Sequence, residues 1–150
     1  MAFDVQPTLH KILSYLEASG HFGGAQIGDP ISPPDVDDLY GAAFMSGVGQ
    51  AELTLDAASE VHVVILRIYR NMLDETVNVE MDISAAVSNV LGDLLGDYDL
   101  GATIRAIDVQ GIYGAAVAVE YGYLDFGGKM YRHADITLPL IVNDVHTTAA

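Results

Sequence analysis

Five histidines, His10, His21, His62, His133 and His146, are the side chains of this chain best able to ligate a metal or carry a proton near neutral pH. None stands in an HxH, HxxxH or HExxH spacing and no cysteine supplements them, so solvated or structural histidine is the expected role. Asp35, Asp37 and Asp38, in PPDVDDLY, form the one carboxylate cluster that could hold calcium. It lacks the central glycine and the twelfth-position glutamate of an EF-hand, which leaves a solvated acidic loop as the expectation. The pairs Gly23-Gly24 and Gly127-Gly128 belong to no GxGxxG or GxxxxGK(S/T) pattern, so no phosphate cradle is signalled. Ser46, in FMSGVG, lacks the preceding glycine of a nucleophile elbow. Two carboxylates could still meet in space for acid–base work. No motif specifies an enzyme, a metal or a cofactor, and none is expected.

The elements that would position these residues are legible mainly in the last third. Val117, Val119, Tyr121 and Tyr123 alternate with small or polar residues, the period of a strand with one covered face. After DFGG, Met130, Ala134, Ile136, Leu138 and Leu140 fall on one side, with Tyr131, His133, Asp135 and Thr137 on the other. A two-residue turn at Gly127-Gly128 and a four-residue loop at Asp125–Gly128 both place the apolar rows on one face, predicting a long C-terminal hairpin. The two differ in what Glu120 meets. The shorter turn sets it opposite Asp135, a like-charge pair that needs a cation; Arg105 on an adjoining strand, or an arginine of a neighbouring subunit, is the natural candidate. The longer loop sets it opposite His133. Solvation on an open face is the plain alternative.

Upstream, Leu9, Ile12, Leu13 and Leu16 predict an amphipathic helix over Thr8–Ser19, stopped by Gly20 and reaching back towards Asp4 through Pro7. Glycines and prolines from His21 to Asp38 predict a loop or arm within about 21–41, dispensable to the fold over residues 23–36. Ala42–Gln50 reads as a strand weakened by Gly47 and Gly49. Glu60–Met72 reads as a central strand covered on both faces. Asp74–Val79 is a polar connection. Ile83, Val87, Val90, Leu91 and Leu94 predict a second helix over 82–95, and Thr103–Val109 a further strand with Ile104 facing away from Ile107 and Val109. The sum is one α+β domain spanning 1–150: a mostly antiparallel sheet with a long C-terminal hairpin, packed by two helices.

Charge is the loudest compositional signal: 21 Asp and Glu against 6 Lys and Arg, formally −15. Such a surface repels phosphate backbones, so a nucleic-acid reader is excluded. A mean hydropathy of +0.30 is high for a free-standing protein and favours an assembled one. No apolar run is long enough to span a membrane, and the first residues lack the basic start of a signal peptide, so no membrane partner is expected.

RIYRNML (67–73), LGATIRAIDVQGIYG (100–114), GYL (122–124) and GKMYRHADITLPLIVNDV (128–145) resemble the tail-terminator proteins of long-tailed, siphovirus-type actinobacterial phages. The likeness takes in the opening helix and is most specific at TLPLIVNDV; the 23–38 arm and the 74–80 connection match least. It implies a non-catalytic virion protein, made in the host cytoplasm, that forms a ring, typically a hexamer, on the last ring of the tail tube. The ring would stop polymerisation by the major tail-tube protein and present a docking face to the head-side connector or stopper, with DNA passing through without sequence-specific binding. On that reading Arg67, Arg70, Arg105, Arg132 and Glu120 are candidate subunit contacts. The hairpin tip Asp125, Phe126, Gly127 and Gly128, with Asp35, Asp37 and Asp38 of the arm, are candidate tube or connector contacts. Rival readings are another neck or tail component (a head-completion or tail-tube protein), or a small acidic enzyme or ligand-binding domain using His62, His133 or the 35–38 cluster.

Overall fold

The computed structural model describes residues 3–20, 22–30, 39–53, 58–72 and 76–146. The order is α1 (Gln6–Ser19), β1 (Phe22–Ile27), β2 (Leu39–Leu53), β3 (Ala58–Asn71), α2 (Thr76–Gly96), β4 (Ala106–Ile107), β5 (Ala118–Phe126) and β6 (Lys129–His146). The sheet runs β1-β2-β3-β6-β4, with β5 also paired to β6. Among the described residues only β1 and β2 run parallel, and every other pairing is antiparallel. The α+β architecture with a long C-terminal hairpin is as expected.

Period-two alternation decides which face the helices cover. Val64, Leu66 and Ile68 of β3 stand beside Leu138, Ile136 and Ala134 of β6, and all six are fully buried. Leu9, Ile12, Leu13 and Leu16 of α1 and Val79, Ile83, Val87, Val90 and Leu94 of α2 close over them in one core. Helix α1 begins at Gln6, whose N–H donates to Asp4 Oδ1 at 3.1 Å, and ends on Gly20 at φ 74°, a left-handed cap that favours glycine. Helix α2 starts six residues earlier than its apolar stripe predicts, so most of the expected connection at 74–79 is helix, with Val79 buried one turn before Ile83.

Three further expectations are corrected. The 21–41 stretch is not all loop, because Phe22–Ile27 forms β1 on the edge of β2 and Leu39–Gly41 already belongs to β2. Removing 23–36 would therefore take away a strand. The strand expected at Thr103–Val109 shrinks to Ala106–Ile107, with Ile104 and Ile107 both buried and Val109 exposed. Strand β3 is central, but only its even face lies under helices. Its odd face carries the smaller cluster of Ala42, Tyr69 and Tyr131, joined by Tyr40 and Leu124 and, among the described residues, by none from a helix.

Gly41 sets how closely α1 approaches. A Cβ there would lie 2.3 Å from Leu16 Cδ1, so the fully buried Leu16 side chain would have to shift within the core. A Cβ at Gly47 meets nothing within 4 Å. Gly41→Val should therefore cost about 1–3 kcal/mol in urea unfolding, the usual range for overpacking, while Gly47→Ala should lie within about 0.5 kcal/mol of the parent. Equal effects would remove the close approach as the reason for the glycine.

Candidate functional site

A connected constellation of polar side chains lies on the odd face of the sheet, away from the helices. The hairpin closes through Gly127 (φ 62°) and Gly128 (φ 83°), with Phe126 paired to Lys129, so the two-residue turn is the one formed. That register sets Glu120 opposite Asp135. The answering cation is Arg67, which flanks Asp135 on the other side, from β3. Its Nε and Nη2 donate to Asp135 Oδ1 at 2.6 Å and Oδ2 at 2.9 Å, a bidentate fork that holds both planes fixed. Neither Arg105 nor a second chain is needed there.

The network continues sideways. Arg67 Nη1 reaches Asp29 Oδ2 at 3.2 Å, and the Tyr69 hydroxyl donates to Asp29 Oδ1, tying the segment after β1 down onto β3. The Arg67 guanidinium also lies 5.3 Å from the centre of the Phe44 ring. On the far side His133 Nδ1 approaches Asp135 Oδ1 at 3.3 Å, and its ring lies across Gly122, where a Cβ would meet Nε2 at 2.8 Å. Glu120 itself is exposed.

The charges are locked rather than poised. Burial disfavours the Asp135 carboxylate, but the close approach of His133 and the hydrogen bonds from Arg67 outweigh it and lower its pKa from 3.8 to about 2. The bond to Asp135 raises Arg67 against the pull of burial, and burial with the Asp29 contact raises Tyr69. All three move away from neutrality, opposite to the tuning of a general acid or base.

The remaining candidate residues occupy other places. Arg70 and Arg132 stand directly opposite each other on β3 and β6, a like-charge pair answered from above by α2. Asp82 Oδ2 lies 3.5 Å from Arg70 Nη2, and Glu80 Oε1 lies 2.6 Å from Arg132 Nε. Arg132 also stacks on Tyr123 at 4.5 Å and Tyr121 at 5.4 Å. Arg105, exposed, reaches Asn143 Oδ1 at 3.4 Å. Asp125 takes the Gly128 N–H at 3.1 Å and stiffens the hairpin tip. Asp35, Asp37, Asp38 and the side chain of Phe126 lie outside the described residues.

Two anchoring carboxylates had no motif to announce them. Asp97 accepts from Tyr15 Oη at 2.5 Å and from the Gly101 N–H at 3.1 Å. That contact lowers the Asp97 pKa and pushes Tyr15 up to about 12. Asp108, 3% exposed, gathers the N–H groups of Ile112 and Tyr113 at 2.9 and 3.0 Å. A cleft of about 290 Å³ opens between α1, β1 and α2, lined by Phe22, Leu39, Ala86 and Val90 with Asp82 and Asn89 at its polar side. Among the described residues no three His, Asp or Glu side chains converge as a metal site, and no helix is long and apolar enough to cross a membrane.

Compared with known protein families and with curated proteins, the chain matches none.

The depressed Asp135 makes a signed prediction. Its folded pKa lies below its unfolded value, so its contribution is complete above about pH 4 and disappears as pH falls towards 2, a difference of roughly 2 kcal/mol. Asp135→Asn should lose that stability at neutral pH. Its urea midpoint should then change less than the parent's between pH 4 and pH 2. Parallel pH profiles for the two proteins would show the Arg67–Asp135 pair to be without net effect.

Proposed function

We propose that this chain is a phage tail terminator: a ring-forming, non-catalytic subunit that caps the tail tube, stops its growth and offers a docking face to the head-side connector. The observation that carries the reading is one-sided layering. Both described helices close one face of the sheet, and the other face, with Val63, Ile65 and Phe44 half-buried, has no helix over it among the described residues. Val48, Tyr98 and Ile112 are 59%, 64% and 75% exposed elsewhere on the chain. Apolar surface of this extent in so acidic a protein suits burial between neighbours. The resemblance in the last third supplies the kind of assembly.

Physical logic supports termination by such a subunit. A tube protein regenerates the surface it binds, so growth stops only when an added ring presents a different one. The protruding hairpin tip at Asp125–Gly128 and the 31–38 stretch are proposed to meet the tube or connector. Arg67, Arg70 and Arg132 already have acids within the chain, so the role proposed for them at subunit contacts is to set the shape of the patch and not to offer free charge. With cations occupied internally, the outward charge is mostly carboxylate, and a channel lined that way lets a DNA polyanion pass without gripping it.

Purified protein added to tails should form rings at one tube end in negative stain, and particles made without it should carry overlong tubes detached from heads. Normal tube length with normal head joining in its absence would refute the role, and filaments of the pure protein would identify a tube subunit instead. In a reconstructed ring, Asp and Glu should outnumber Lys and Arg around the channel; a bore ringed by basic residues would contradict the DNA argument.

A further inference from the structure

Strand β5 is hydrogen-bonded to β6 along one edge, and among the described residues no strand meets its other edge. Edge strands are ordinarily kept short, bulged, interrupted by proline or armed with lysine. β5 uses none of these devices and carries only two charges, Glu120 and Asp125: all nine residues of AVEYGYLDF pair with β6 in unbroken register, without proline or lysine. Tyr121 and Tyr123 stand 44% and 59% exposed on the helix side. On the opposite side the strand is flat at its centre, where Gly122 meets the His133 ring.

We infer that this edge binds the same edge of a second copy, antiparallel, about a two-fold axis at Gly122. One register overlaps the whole strand with itself. Ala118 then meets Phe126, Val119 meets Asp125, Glu120 meets Leu124, Tyr121 meets Tyr123, and Gly122 meets its own counterpart.

Two properties of that register select a second copy as the occupant. Each Tyr121 lies beside a Tyr123, twice over, and aromatic cross-strand pairs stabilise antiparallel strands. Each row of two tyrosines ends on an Arg132 guanidinium, which already stacks on Tyr123. The acids also avoid one another, since Glu120 faces Leu124 and Asp125 faces Val119. A slip that paired Glu120 with itself would oppose like charges. For a chain carrying −15, an edge that meets its copy without opposed carboxylates is a low-cost place for two molecules to join. The pairing is closed by its symmetry, so it covers the edge without propagating into a fibre. It concerns the free chain and stands or falls separately from the tail-terminator reading.

The test uses Tyr121→Cys and Tyr123→Cys, each checked for parental circular dichroism and then mixed and oxidised with diamide. Residues opposed across an antiparallel pair lie within disulfide reach. The mixture should yield a disulfide-linked species of twice the 16.0 kDa chain mass, at roughly tenfold the amount formed by either variant alone, because only mixed pairs oppose two thiols. Sedimentation of the parent protein should show a concentration-dependent dimer. A parent that stays monomeric at every concentration overturns the inference, and so does cross-linking no greater in the mixture than in the separate variants.

Discussion

The register of β6 is the constraint on which the rest depends. This strand pairs with β3 along one edge and with β4 and β5 along the other, so three partners must agree on which of its side chains point towards the helices. A slip of one residue against β3 would carry Ala134, Ile136, Leu138 and Leu140 out of the core and send His133, Asp135 and Thr137 into it. Burying a carboxylate there without Arg67 beside it would cost several kcal/mol. The apolar row and the polar row therefore enforce one register from opposite faces.

Each face also uses charge to settle which strands are neighbours. Across β3, β6 and β5, Arg67, Asp135 and Glu120 form a lateral row in which the middle acid is claimed by the arginine. One turn of the pleat away, Arg70 and Arg132 repel each other across the same two strands and are reconciled by Asp82 and Glu80. Those two acids sit in the second turn of α2. They fix that end of the helix over the hairpin while Ile83 to Leu94 hold its length over the core. A surface count of ion pairs would miss this, because the value of these contacts lies in relieving like charges that the register forces together.

Much of this was legible in the sequence, and what was not failed for identifiable reasons. The hairpin, α1 and the core stripe of α2 follow from apolar spacing alone. The turn length did not, because two- and four-residue loops leave the same rows on the same face; the paired positive-φ glycines at 127 and 128 were the signal available. The early start of α2 was visible in Val79, four residues before Ile83. Strand β1 was hidden by its composition, since FGGAQI has little β propensity and exists as a strand because β2 offers it an edge. Nothing local pairs Arg67 with Asp135, because pairing partners depend on strand order, which no local pattern encodes. Asp97 and Asp108 bind through tertiary approach and backbone N–H groups, for which spacing carries no mark.

These internal pairings bear on how an acidic subunit can assemble at all. If the arginines were free, neighbouring copies would adhere wherever an acid met a cation, and with 21 acids such meetings would be unselective. Engaging Arg67, Arg70 and Arg132 within the fold leaves carboxylates as the general surface, a charge that opposes indiscriminate contact between copies. On the pairing inferred above, contact would be favoured where exposed aromatic side chains, Tyr121 and Tyr123, lie on a strand edge that no strand meets among the described residues. On the assembly proposed here, selectivity would come from shape and strand edges, with the net charge acting as a uniform repulsion that those few surfaces must overcome.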